Sequence, residues 1–215
     1  MEQSDTFIVA REAWKFLMAA LAAYIVFLLT DLELLQFAAF AAAAVTIYIY
    51  RNPERIVPYY QNGSIVAFAD GRVAAIETVD GCSAFEGPCY RVDIVSSAFD
   101  VSLLRAPFEA VVRRLKVRRG SRLSSHSALA RKLNETALVQ FEDEKGQRCA
   151  IEHMLDTSID ALSLHVHHEQ RLMQGSRYGL LVRGRHSLYL PAASRVAVKV
   201  GDEVRAGQTL IGYFS

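Results

Sequence analysis

Three stretches carry the residue types from which acid–base, metal or anion chemistry is built. His186-Ser187 sets an imidazole beside a hydroxyl. Imidazole titrates near neutral pH and can take the proton of a nucleophile. Adjacent residues on an extended strand point to opposite faces, however, so this pair does not act on itself and reads as two ordinary strand residues. His165-Val-His-His168 has the imidazole density of a metal site. If the segment is a strand, His165 and His167 share a face, but no carboxylate or cysteine can be set beside them, and an exposed strand end without metal is expected. The third stretch holds Arg113, Arg114, Lys116, Arg118, Arg119, Arg122, Arg131 and Lys132 with no acid between them. On a domain held at a membrane, such a patch is drawn to anionic headgroups at roughly 1 kcal/mol per basic residue near the surface. The alternative is a strand edge whose charges block sheet-to-sheet pairing. Aromatic residues are not interleaved with these charges, which argues against RNA.

The elements that position these residues divide into two kinds. The first fifty residues hold two apolar runs, 16–30 and 34–50, joined by Asp31-Leu-Glu33. Each is short of the roughly 20 residues that cross a bilayer, although Lys15 can snorkel from the start of the first. The link allows only a tight helical hairpin, and the Ala-rich stretch 38–44 favours close packing. Arg11 and Lys15 precede the hairpin, Arg51 and Arg55 follow it, and the link carries only acids, so both ends are expected to face the cytoplasm of an inner membrane. Trp14, Tyr48 and Tyr50 suit the interfacial belt. A second apolar run follows at once, which argues against a cleaved signal peptide.

From residue 64 onward, alternation and turn residues predict strands over 64–68, 72–77, 90–96, 110–117, 136–142, 147–153, 161–167, 178–182, 187–190, 195–200 and 208–213, with one helical stretch over 127–133. The fold class is therefore mainly β: a β-rich, sandwich-type domain over 64–215, a linker over 51–63, and a membrane hairpin over 1–50. With 215 residues the chain has room for one such domain and an appendage. A net charge of +1 gives no global argument for nucleic acid. Cys82 and Cys89 flank a turn-rich loop and would bridge in an oxidising compartment, but an odd total of three with Cys149 and a cytoplasmic domain favour free thiols. The closing Val-Gly-Asp-Glu-Val-Arg-Ala-Gly has the turns of a biotinyl or lipoyl hairpin. Lys199 lies within a strand rather than at a hairpin tip, which argues against a carrier.

Several motifs, in order, resemble the short bacterial phosphatidylserine decarboxylases. Tyr50-Arg-Asn-Pro-Glu-Arg-Ile-Val-Pro58 is close to the family's Phe-Arg-Asp-Pro-x-Arg-x-x-Pro. Ala69-Asp70-Gly71 matches its Ala-Asp-Gly, and Ser97-Ala-Phe-Asp-Val-Ser-Leu-Leu-Arg-Ala-Pro107 is similar to Ser-Pro-Phe-Asp-Val-His-Val-Asn-Arg-Ala-Pro. Asn134-Glu135 echoes Asn-Glu-Arg. Arg177-Tyr-Gly-Leu-Leu-Val-Arg-Gly-Arg-His-Ser-Leu-Tyr-Leu-Pro191 looks like the self-cleavage region.

The resemblance implies an Asp, a His and a Ser that act together in self-processing, the serine becoming a pyruvoyl cofactor. Asp70 keeps the acid. Ser102 stands in place of the histidine. The cleavage run is one residue shorter here, so the serine position falls on Arg185 from one side and on Gly184 from the other. Neither residue can become a pyruvoyl group, and without it there is no electron sink for the carbanion of decarboxylation. The expected protein is a membrane-anchored homologue without cofactor that does not process itself. It would bind an anionic phospholipid such as phosphatidylserine through Arg105 and the basic run, or partner a lipid-synthesis enzyme. The alternative is an active decarboxylase, forming phosphatidylethanolamine with pyruvoyl made from a displaced nucleophile, Ser187. That would require a register change reversing every neighbouring side chain. An adaptor of the secretion type is disfavoured because no coiled coil separates the halves.

Overall fold

In the computed structural model, residues 8–81, 87–124, 127, 129–158 and 160–215 are described. The chain divides into two compact units, the first ending at Glu54 and the second spanning Arg55–Ser215.

The first unit is a helical hairpin. A 3-10 turn at Arg11–Ala13 leads into α1 (Trp14–Leu29), and α2 (Glu33–Ile49) returns beside it. Neither helix contains Gly or Pro, and alanine and leucine dominate both. The turn closes because Asp31 takes a left-handed φ of 53° and Leu32 N–H donates to Phe27 O at 3.0 Å. Gln36, the polar interruption of α2, turns its amide to the same carbonyl at 3.1 Å. The outward surface is apolar: Met18, Leu21, Val26, Leu29, Leu34, Phe37 and Phe40 are all exposed. Arg11–Leu29, 19 residues, is long and apolar enough to cross a membrane. The 17 residues of α2 rise only about 25 Å at 1.5 Å per residue.

The second unit is built from β1 (Ser64–Val66), β2 (Gly71–Val79), β3 (Cys89–Ser96), β4 (Leu103–Arg105), β5 (Ala110–Arg118), the single turn α3 (Ala130–Leu133), β6 (Thr136–Glu142), β7 (Arg148–Leu155), β8 (Ser163–Leu164), β9 (Arg171–Leu172), β10 (Arg177–Leu180), β11 (Gly184–Pro191), β12 (Arg195–Val196), β13 (Glu203–Val204) and β14 (Leu210–Tyr213). An eight-stranded antiparallel sheet runs β13-β2-β3-β11-β7-β6-β5-β9. Two three-stranded sheets, β1-β14-β12 and β4-β10-β8, complete the domain. The core joins the inner face of the large sheet (Val92, Ile94, Val139, Phe141, Ile151, Leu188) to Ile65, Phe68, Tyr178, Leu181 and Ile211. This is the two-layer solution expected for one-sided amphipathic strands. β6 and β11 show why: their burial alternates strictly, odd positions inward on β6 and even ones on β11.

The structure departs from the expected strands where they are short. β4, β9 and β13 span only two or three residues, too few to show a period, and β4 is buried throughout. β8 ends at Leu164, so His165 and His167 do not share a strand face. His165 instead meets Ser163 Oγ at 3.0 Å. Cys89 and Cys149 are buried, while Cys82, and with it the suggested Cys82–Cys89 bridge, lies outside the described residues.

Candidate functional site

Three inward positions of the large sheet carry polar side chains among hydrophobic ones: Ser96 after Ile94 on β3, His153 after Ile151 on β7, and His186 before Leu188 on β11. Register sets them side by side, with His186 opposite His153 on one flank and Gly184 opposite Ser96 on the other. Tyr178 reaches in from β10. His153, His186 and Tyr178 are fully buried, with Ser96 nearly so.

These groups form one continuous chain of hydrogen bonds, and its direction follows from its end. The Ser96 hydroxyl donates to the backbone carbonyl of Asp70. It must then accept at its other contact, so His186 Nε2–H donates to Ser96 Oγ at 3.0 Å. His186 Nδ1 is therefore bare and accepts from His153 Nδ1–H at 2.7 Å. His153 Nε2 in turn accepts from the Tyr178 hydroxyl at 2.7 Å. This assigns both tautomers from the network, and both imidazoles are neutral. Burial pushes the His186 pKa down to about 3. Burial and the neighbouring His186 hold His153 well below the usual range, and burial raises the Tyr178 phenol. Phe68 packs edge-on against both imidazoles at 6.0 Å.

Two imidazoles held neutral make stability depend on pH. In the unfolded chain an imidazole takes up a proton as pH falls through about 6.5, whereas the folded pair does not. The unfolded state thus binds more protons across that window, and stability falls as pH drops from 6.5 toward 3. At pH 5 each imidazole is expected to cost on the order of 2 kcal/mol relative to neutral pH. Ordinary carboxylates contribute little above pH 5. Denaturant unfolding at pH 7.5 and pH 5 measures this, and equal stability at the two values would contradict the assignment.

The reading of His186 as an ordinary strand residue is corrected by this geometry: it is the centre of a buried polar chain. Ser187 sits on the opposite face, where its hydroxyl donates to Asp93 Oδ1 at 2.7 Å. Asp70 is tightly paired. Arg55 grips it with two hydrogen bonds of 2.5 and 2.7 Å, and Ala206 N–H adds a third at 2.8 Å. The ion pair is about nine-tenths buried on both sides. Gly71 follows because a Cβ there would lie 2.3 Å from Val95 O, at a φ of 151°. Ser102, buried, accepts Leu181 N–H at its backbone carbonyl at 2.8 Å. Asp70, Ser102 and Gly184 are thus linked through Ser96 and the strand before Gly184, and neither Gly184 nor Arg185 offers a hydroxyl. A Cβ on Gly184 would meet Met154 O at 2.4 Å and Leu181 Cδ2 at 2.6 Å. A side chain at this position would therefore need its neighbours to shift.

The basic run also resolves residue by residue. Arg105 is buried, with Nη1 donating to Gly175 O at 2.9 Å. Arg113 is neutralised by Glu142 and Glu169 at 2.9 and 2.7 Å, and Arg119 by Glu135. Arg118 donates to Arg131 O and Asn134 O, and Arg122 to Ser158 O at 3.3 Å. A bulge in β5 after Val112 puts Arg114, Lys116 and Arg118 on one face. Arg114 and Lys116 have no carboxylate partner among the described residues.

Known proteins are similar to this chain over most of their length. The phosphatidylserine decarboxylase family model matches residues 42–212. The chain is 30% identical over 205 residues to the phosphatidylserine decarboxylase proenzyme of Desulfotalea psychrophila, covering 95% of each chain. It is 32% identical over 206 residues to that of Symbiobacterium thermophilum, again 95% of each. To that of Nitrosomonas europaea it is 29% identical over 210 residues, 96% of this chain and 95% of the relative.

Proposed function

The chain belongs to the phosphatidylserine decarboxylase family, a family of phospholipid metabolism, and from that membership we propose a membrane-anchored protein that does not process itself and that binds an anionic phospholipid headgroup. The observation that carries the reading is position 184. The chain has glycine there and arginine beside it, and the backbone of Met154 fills the space a side chain would need. The acid of the family's motif is meanwhile committed to Arg55. A retained fold without the nucleophile leaves recognition of the lipid, or service to a lipid-synthesis enzyme, as the selected property.

The apolar outer surface of the hairpin supports anchoring. Basic residues at both of its ends favour a cytoplasmic second unit. Arg114 and Lys116 supply the headgroup charge, with Arg118 and Arg122 beside them. Native mass spectrometry of the full chain, offered equal amounts of phosphatidylserine and phosphatidylcholine, is expected to show preferential retention of phosphatidylserine. Joint Arg114→Ala and Lys116→Ala replacement should remove the preference. Equal retention of the two lipids by the unaltered chain sinks the headgroup reading.

The second reading, a decarboxylase with Ser187 as nucleophile, would have to use Asp93 and not an imidazole as its base: that hydroxyl is bonded to Asp93, on the face away from His186. Gly184→Ser is likewise expected not to restore cleavage. The added side chain overpacks against Met154 O and should destabilise by about 1–3 kcal/mol. Appearance of two fragments in that variant would contradict this.

A further inference from the structure

We propose that the second unit carries its own membrane-contact patch, a pair of leucines with Arg131 and Lys132 on the same exposed turn, and that its occupant is an anionic bilayer surface. The inference rests on the anchoring and lipid reading above and deepens it by naming the contact. Leu129 and Leu133 are 55% and 48% exposed. They lie one helical turn apart, Leu133 N–H donating to Leu129 O at 3.0 Å, so both side chains leave the same side of α3. Arg131 and Lys132, between them in sequence, are exposed and make no ion pair among the described residues.

The turn is held firmly from beneath. Ala130 is fully buried. Asn134, also fully buried, clamps Leu123 N–H, Leu123 O and Leu155 O at 2.8, 2.7 and 2.8 Å. Arg118 ties the end of β5 to the carbonyls of Arg131 and Asn134 at 3.2 Å. A segment so fixed, with two large apolar side chains turned outward, is not a frayed end. The nearest acid in sequence, Glu135, is buried and neutralised by Arg119. Exposed leucines beside positive charge match a surface with negative headgroups above acyl chains. A protein partner of the usual kind would meet a core depleted in charge instead.

The test uses the full chain with its single tryptophan removed (Trp14→Phe) and a reporter placed in the patch (Leu133→Trp). It is reconstituted in nanodiscs of brominated phosphatidylcholine with or without phosphatidylglycerol. Fluorescence of the introduced indole is expected to be quenched in the anionic discs and to lose that quenching in neutral discs or at high salt. Charge reversal by Arg131→Glu and Lys132→Glu should abolish it too, with the far-ultraviolet circular dichroism unchanged. An unquenched reporter in anionic discs overturns the proposal and leaves the leucines to a protein surface. Equal quenching in both disc types overturns the role of the basic residues. If phosphatidylserine is preferentially retained while the reporter stays unquenched, the headgroup reading stands and this one falls.

Discussion

Arg55→Ala is expected to destabilise the second unit by about 3–5 kcal/mol, because it leaves the Asp70 carboxylate buried without its counter-charge. Among the described residues Asp70 would keep only the Ala206 N–H, at 2.8 Å, and one backbone donor does not replace a two-pronged guanidinium. Arg55→Lys should fall between the two, since an ammonium retains the charge but not the paired geometry. Replacing both partners by apolar residues should recover part of the loss, because a buried charge without a partner costs more than no charge at all. Denaturant unfolding of the four proteins checks this. A loss below about 1 kcal/mol for Arg55→Ala would mean the pair behaves as a solvated surface bridge. The pair fixes the position of the carboxylate.

The second large effect is expected at His186. His186→Leu removes the acceptor of His153 Nδ1–H and the donor to Ser96 in one change. His153 cannot repair this by switching tautomer, since it would then lose the Tyr178 proton as a partner. One buried polar group is left unmade either way, and a loss of about 2–4 kcal/mol is expected. His153→Leu should behave similarly. The double variant should lose less than the sum of the singles by at least about 1 kcal/mol, because the two imidazoles form one network. Additivity would show that the 2.7 Å contact between them contributes nothing specific.

The contrast between Asp70 and His186 indicates what a single sequence can reveal. Alternation in 136–142, broken by Leu138, and the turn residues around it pointed to β6. The apolar runs broken by Asp31-Leu-Glu33 likewise announced the helical hairpin, and the ordered motifs announced the family. Pairing across the sheet was hidden. His153 and His186 lie 33 residues apart and meet only through the register of β7 with β11, which no local pattern encodes. A signal was nevertheless present: in Ile151-Glu-His-Met-Leu155 and His186-Ser-Leu-Tyr-Leu190 a histidine occupies the phase of the strand that is otherwise aliphatic. A polar residue in that phase must find a buried partner. Arg55 was legible as a charge flanking a hairpin and as part of a motif, but not as the partner of Asp70, which sits beyond a strand boundary. The run of basic residues looked uniform for the same reason. Glu142, Glu169 and Glu135, which neutralise part of it, come from other strands and loops.

Whether the chain cuts itself is read most directly from the intact mass of the purified, detergent-solubilised protein. A single species at 23.9 kDa is the predicted result: no bond is cut, and no pyruvoyl group forms. A large N-terminal piece with a small fragment beginning near Ser187, its first residue carrying the mass of a pyruvoyl group, would contradict the account and return the chain to the active decarboxylases.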